Sequence, residues 1–161
     1  MPREALRASA YALSVAGIVF GLDQFTKQLA IDHVSRGEPV EIIFGLKIAN
    51  VRNSGIAFGL LEDAGDTVVL VLTIASLVAL VTYFAMHANR PGLWLAVGLV
   101  VGGALGNLAD RARIGAAIDF IDPPLWPAFN LADIAIVCGV ALLVFVLLEP
   151  PEGKDDRAGV A

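Results

Sequence analysis

Residues 119–133 read DFIDPPLWPAFNLAD and lead into an apolar segment, residues 129–148, long enough to cross a bilayer as a helix. Asp133 lies five residues into that segment. A carboxylate at the centre of a spanning helix is disfavoured by about 2.5–3.5 kcal/mol on insertion scales. Its presence calls for an explanation in packing, transport or chemistry. A second carboxylate, Asp119, stands just before the run, across a Pro-rich connection.

Three further segments share the apolar character. They are residues 8–31, which turn polar at Asp23 and Lys27, residues 67–86, which carry no charge, and residues 93–113. Of the 161 residues 57% are hydrophobic, against about 45–50% in soluble domains, and mean hydropathy is +0.76. The pattern predicts a mainly α, integral membrane protein of four transmembrane helices, folded as a single domain over residues 1–149. Residues 32–66 differ: PVEIIF and LKIANV flank Gly45. Alternating β-rich runs of this kind predict a small extracytoplasmic antiparallel β-sheet between helices 1 and 2. The Pro-rich, charged residues 150–161 read as a disordered C-terminal tail.

Arg3 and Arg7 before an apolar run fit the start of a signal peptide, but no small-residue cleavage site follows, so a retained first helix is expected. An even number of spans puts both termini on one side. The basic residues divide almost evenly between the two sides; the short HANRPG loop and the two leading arginines favour cytoplasmic termini. A net charge of −5 without a basic stripe sets nucleic acid aside. Cys138 is the single cysteine, and His33 and His87 lie far apart, so neither a disulfide within the chain nor a metal site is expected. Cys138 reads as a small core residue, Trp94 and Trp126 as interface aromatics, and Asp122 as a turn residue before two prolines.

The polar residues in the spans are grouped. Asp23 and Lys27 are spaced i, i+4; Asn107, Asp110 and Arg111 are spaced i, i+3, i+4; Asn130 and Asp133 are three apart. Each group shares a helix face. With alternating helix directions, all three groups and the loop residue Asp119 fall at one depth near the outer surface. Gly102 and Gly106, a small-xxx-small pair, allow close helix approach beside them. Two neighbouring carboxylates cannot both ionise easily, so one holds a proton while the other activates water against a carbonyl. Residues alone leave two other readings open: a small proton-coupled transporter using Asp133, Asp119 and Arg111 as a relay, or a scaffold whose polar face binds a partner helix.

Five blocks, in order, resemble one family. They are Asp23-Gln24-Phe25-Thr26-Lys27, Asn53-Ser54-Gly55-Ile56-Ala57-Phe58-Gly59, the run from Gly102 to Arg111 (GGALGNLADR), Asp119-Phe120, and Phe129-Asn130-Leu131-Ala132-Asp133. Together they are similar to lipoprotein signal peptidase, or signal peptidase II. The resemblance implies a bacterial inner-membrane aspartic peptidase that removes the signal peptide of prolipoproteins just before a diacylglyceryl-modified cysteine. It implies Asp119 and Asp133 as the catalytic pair. Asn53, Asn107, Arg111 and Asn130 would line the substrate cleft, and Asp23, Lys27, Gly103 and Asp110 would support its geometry. It further implies no cofactor and no metal, and a monomer in contact with membrane lipid.

Overall fold

In the computed structural model, residues 3–54 and 66–148 are described. Residues 55–59 of the second sequence block, Phe58 among them, and the tail at 150–161 lie outside them. Four helices have the length and apolarity to cross a membrane. They are α1 (Arg3–His33), α2 (Asp66–His87), α3 (Leu93–Ile114) and α4 (Leu131–Leu148). The polar residues at 23–28 do not interrupt α1, which continues unbroken for 31 residues. At 1.5 Å per residue that is about 46 Å, longer than a bilayer's hydrocarbon core, so its polar C-terminal turns project beyond the apolar layer.

The helix α3 is central. Half of its apolar window is buried, and α1, α4 and α2 all pack on it. The close approach is set by glycine. A Cβ at Gly98 would stand 2.8 Å from the Ala12 carbonyl oxygen, and one at Gly102 would stand 2.7 Å from that of Ala16. These two glycines fit α3 to α1, while Gly139 of α4 receives Val100 and the Ala96 backbone of α3. At the end of the bundle where α1 and α3 begin and α4 ends, Ala8, Ala12, Phe84, Leu93, Val97 and Val146 form an apolar cluster.

At the opposite end lies a three-stranded antiparallel sheet in the order β1-β2-β3. Strands β1 (Val40–Ile43) and β2 (Leu46–Asn53) form the expected hairpin between helices 1 and 2. The third strand, β3 (Ala117–Asp122), comes from the segment after α3. Asp119 is thus a strand residue, opposite Val51 of β2, rather than a loop residue. Gly115 makes the sharp exit possible. It ends α3 with φ 75°, a left-handed conformation suited to glycine, and its N–H donates to the Arg111 carbonyl at 2.9 Å. Asp122 is the last residue of β3, opposite Lys47, rather than part of the turn itself. Cys138, expected in the core, is exposed on α4; the outward face of a spanning helix meets lipid, which accepts a small thiol.

Backbone atoms oppose the Gly102 position, so relief there requires helix movement. Gly102→Ala is expected to destabilise the bundle by about 1–3 kcal/mol, read as a lower Tm in detergent. Gly17, where an added methyl would meet nothing within 4 Å, is the control, and Gly17→Ala should not lower the Tm.

Candidate active site

The site is assembled from the C-terminal turns of α1 and α3, the start of α4, and strands β2 and β3. Its floor is the Lys27 ammonium, 1% exposed. Its three protons meet three acceptors: Asp23 Oδ2 at 2.8 Å, Asp110 Oδ2 at 2.7 Å and Asn107 Oδ1 at 2.8 Å. Both aspartates are fully buried. A buried charge is tolerated when paired and hydrogen-bonded, and here every ammonium proton is used. Asp23 Oδ1 also accepts the Ala132 N–H at 2.9 Å, which ties α1 to the first turn of α4.

Small residues make room for this floor. A Cβ at Gly106 would collide with the Asp23 carboxylate, and one at Gly103 would lie 2.5 Å from the Ala132 carbonyl oxygen. Gln24 closes the group from the side. Its amide donates to Asp23 Oδ2, Gly106 O and Asp110 Oδ1, and its oxygen accepts from Arg113. Arg113 also pairs with Asp110 Oδ1 at 2.8 Å. Gln24 and Arg113 were not among the residues singled out from the sequence. The available signal was spacing: Gln24 sits between two polar positions of α1, and Arg113 lies i+3 from Asp110.

Above the floor, two asparagines carry the pattern to two carboxylates. Lysine only donates, so the Asn107 oxygen faces Lys27 and its amide nitrogen points away. That nitrogen donates to Asp133 Oδ1 at 2.9 Å. Asn130, fully buried, lies just before α4 rather than on it. Its Oδ1 accepts the Asp133 N–H at 2.9 Å, while Asp133 Oδ2 accepts the Asn130 N–H at 3.1 Å. This reciprocal pair has the form of a capping box and supports the start of the helix. The Asn130 amide nitrogen donates to Asp119 Oδ1 at 2.7 Å, to Asn107 Oδ1 at 3.0 Å and to the Ile118 carbonyl at 3.2 Å.

Asn130 therefore bonds to both Asp119 and Asp133. The Pro-rich connection makes this possible. After it the chain returns antiparallel, with Phe129 bridged to Ile121 through N–H···O bonds of 2.9 and 3.0 Å, which delivers Asn130 beside Asp119. Asn53, at the end of β2, completes the group by donating to Asp119 Oδ2 at 2.9 Å. Arg111, half-buried, follows Asn107 by one helical turn. Nine of the ten residues singled out from the sequence are thus linked in one contiguous network or shape its floor, and Arg111 adjoins it on α3. Asp119 is 1% exposed and Asp133 half-buried. Burial, with a further contribution from the nearby Asp133 charge, pushes the Asp119 carboxyl up to about 6; hydrogen bonds from Asn53 and Asn130 oppose the rise. Among the described residues no group of His, Cys, Asp and Glu could hold a metal ion.

Comparison with known proteins gives consistent results. A family model described as signal peptidase (SPase) II matches residues 15–149. The chain is 40% identical over 139 residues to the lipoprotein signal peptidase of Moorella thermoacetica, covering 86% of this chain and 93% of that protein. It is 42% identical over 144 residues to that of Pelotomaculum thermopropionicum, covering 89% and 95%. Two solved structures, both described as a bacterial membrane enzyme determined by the in meso method, share the fold. One, at 2.3 Å resolution, has a TM-score of 0.79 and 32% identity and covers 92% of this chain and 94% of its own. The other, at 1.9 Å, has a TM-score of 0.76 and 35% identity and covers 87% and 94%.

The raised Asp119 carboxyl has a consequence for stability. Between the unfolded value near 3.8 and the folded value of about 6, the folded chain binds the extra proton. Stability therefore falls as pH rises through that window, by an amount on the order of 3 kcal/mol at roughly 1.4 kcal/mol per unit. Denaturation in detergent between pH 4 and 7 should show this decline in the wild type and a flatter profile in Asp119→Asn.

Proposed function

The chain belongs to the signal peptidase II family, and from that premise we propose that Asp119 and Asp133 are its catalytic pair. It is an aspartic peptidase that cleaves the signal peptides of prolipoproteins. The observation that carries the assignment is the Asn130 bridge: its side-chain amide donates to the Asp119 carboxylate and its backbone N–H donates to the Asp133 carboxylate.

The roles follow from surroundings. Asp119 is the more buried, and its raised affinity for a proton makes it the proton holder. Asp133 is more open to solvent and sits in the first turn of α4, where backbone N–H groups favour a negative charge. Asp133 takes a proton from water, and the resulting hydroxide attacks the scissile carbonyl carbon. Asp119 donates its proton to the carbonyl oxygen. The tetrahedral intermediate collapses as the leaving nitrogen receives the proton held by Asp133, and Asp119 recovers its own from the hydroxyl. The pair is thereby restored.

Asn130 and Asn107 act through the carboxylates, and we assign them as positioning residues. Each has its oxygen and nitrogen both engaged, so an aspartate at either place would lose a donor and add a charge. Lys27, Asp23 and Asp110 hold the floor, with Gly103 making room for it. Asn53 steadies Asp119 from the sheet, and Arg111 faces the substrate.

The substrate reading is that of the family. A diacylglyceryl-modified prolipoprotein presents a segment unwound near the end of its signal helix, because a peptide bond inside a regular helix is closed to attack. The cut falls just before the modified cysteine, whose acyl chains remain in the lipid beside the bundle. The enzyme acts as a monomer in the bacterial inner membrane, with both termini cytoplasmic and the sheet and site at the extracytoplasmic face. Support comes from four spans with the polar groups and the sheet gathered at one end.

A gel-shift assay with a diacylglyceryl-modified prolipoprotein tests the pair. Asp119→Asn and Asp133→Asn are each expected to reduce cleavage to background while the purified proteins keep their helical spectrum. Turnover by either folded variant would remove that residue from the pair. The unlipidated precursor should be a poor substrate. A second expectation concerns pH. Since the proton holder titrates near 6, kcat/KM of the wild type should decline as pH rises above the higher apparent pKa of the pair.

A further inference from the structure

The hairpin of the sheet carries strongly exposed apolar side chains. All four residues of β1 are exposed, and the strand is the outer edge of the sheet. Val40, Ile42 and Ile43 are each more than half exposed. At the turn stands Phe44, 93% exposed with φ 50°, followed by Gly45 with φ 82°. Two successive positive φ values joining paired Ile43 and Leu46 make a two-residue turn of the type that favours Asn-Gly. A phenylalanine in the left-handed region costs roughly 1–2 kcal/mol. A ring this exposed gains little from packing within the chain, so neither packing nor turn preference offsets that cost.

A second apolar tip lies beside the first. Gly45 touches Pro124, with a Cβ there 3.5 Å from the proline ring, and the strands bring Lys47 opposite Asp122. Leu125, 95% exposed, and Trp126, 57% exposed, therefore sit next to the hairpin turn. The two tips come from segments about 80 residues apart in the chain, yet lie side by side at one edge of the sheet, with Glu41, Lys47 and Asp122 lining the cleft beside Gly45 and Pro124. A patch of this kind along an edge strand is an aggregation hazard in water.

We propose that this patch is embedded in the outer leaflet and anchors the sheet to the lipid surface at fixed depth. Its position fits. Trp126 precedes the first residue of α4 by five residues, a reach of at most about 17 Å, and the Phe129–Ile121 bridge shortens it. The interfacial layer on each side of a bilayer core is about 5–8 Å deep, and tryptophan favours it. Between residues 32 and 53 three basic residues (Arg36, Lys47, Arg52) balance three acidic ones (Asp32, Glu38, Glu41), so the contact is apolar rather than driven by anionic headgroups. Because β3 carries Asp119 in the same sheet, the anchor sets the height of the carboxylate pair relative to the lipid. The lipid contact itself stands without the peptidase reading.

The chain has two tryptophans, so Trp94→Phe leaves Trp126 as the sole reporter. In proteoliposomes without substrate, lipids brominated high on the acyl chain are expected to quench most of the Trp126 emission. Acrylamide in the buffer should quench it little, with no difference between neutral and anionic vesicles. In that background Phe44→Asn with Leu125→Asn, which suits the turn better and removes the apolar tips, should make Trp126 several-fold more accessible to acrylamide while the thermal midpoint is kept. Full acrylamide access with no bromolipid quenching would overturn the anchor. So would access that is lost only when a lipidated substrate is added, since the patch would then be a substrate-docking surface. A photoactivatable phospholipid incubated with the wild type needs no variant. Labelling should map to the peptides holding residues 42–44 and 124–126, and its absence there would equally sink the proposal.

Discussion

The site depends on one buried ammonium. Lys27 is removed from water at the end of a membrane bundle, where an unpaired charge would cost several kcal/mol. It remains because Asp23, Asp110 and the Asn107 oxygen take all three of its protons. Those partners come from α1 and α3, and Asp23 reaches α4 through the Ala132 N–H. The charge requirement of one side chain thus fixes three helices against each other. Arg113 supplies the second cation, so the two floor carboxylates are matched by two cations. The carboxylate pair above is held instead by the neutral amides of Asn53, Asn107 and Asn130. Neutral donors do not cancel a second negative charge, which favours a shared proton over two ionised carboxylates.

Direction then passes upward through amides. Since Lys27 can only donate, the Asn107 amide has a single orientation, with its nitrogen toward Asp133. Asn130 is oriented equally firmly, with its oxygen on the Asp133 N–H and its nitrogen on Asp119. The carboxylates are held by donors whose own orientation is determined further down. Preorganisation of this kind lets charge develop in a reaction without prior rearrangement of the surroundings. The glycines contribute by absence: a methyl at Gly103 or Gly106 would occupy space that the α4 backbone or Asp23 already fills.

Much of this was legible in the sequence, for physical reasons. Apolar runs of about 20 residues can hardly be anything but spans, and helical spacing put the polar groups at one end. The lysine and its i−4 aspartate gave a pair but not the further partners Asp110 and Asn107, because sequence spacing says nothing about contact between helices. β3 was hidden for a related reason. AIDFID is short, and its pairing with β2 spans some 70 residues of chain, so Asp119 read as a loop residue. Asn130 read as a helix residue because three-residue spacing fits both a shared face and a cap. Only the reciprocal bonds with Asp133 separate the two. Gln24 escaped notice because a glutamine within a helix resembles a solvated side chain until a second helix is placed against it.

The location of the pair follows from how the polar groups are satisfied. Lys27, Asn107 and Asn130 are buried and bonded to protein atoms, and below them the bundle is apolar, ending in the Leu93 and Val146 cluster. Among the described residues nothing there resembles a chain of polar side chains crossing to the far end, which a proton or solute relay would need. Of the two carboxylates, Asp133 is the more open to solvent. The α4 span of 18 residues begins at Leu131, so the pair sits at the mouth of a helix about 27 Å long. A scissile bond must be brought to that mouth, out of the hydrocarbon and out of helical geometry. The distance between sheet and lipid therefore becomes a catalytic variable, and a sheet that floated freely would let Asp119 and the bond drift apart in height. Burying the Phe44 and Trp126 tips in the leaflet removes that freedom using side chains distant in sequence from the network that holds the proton.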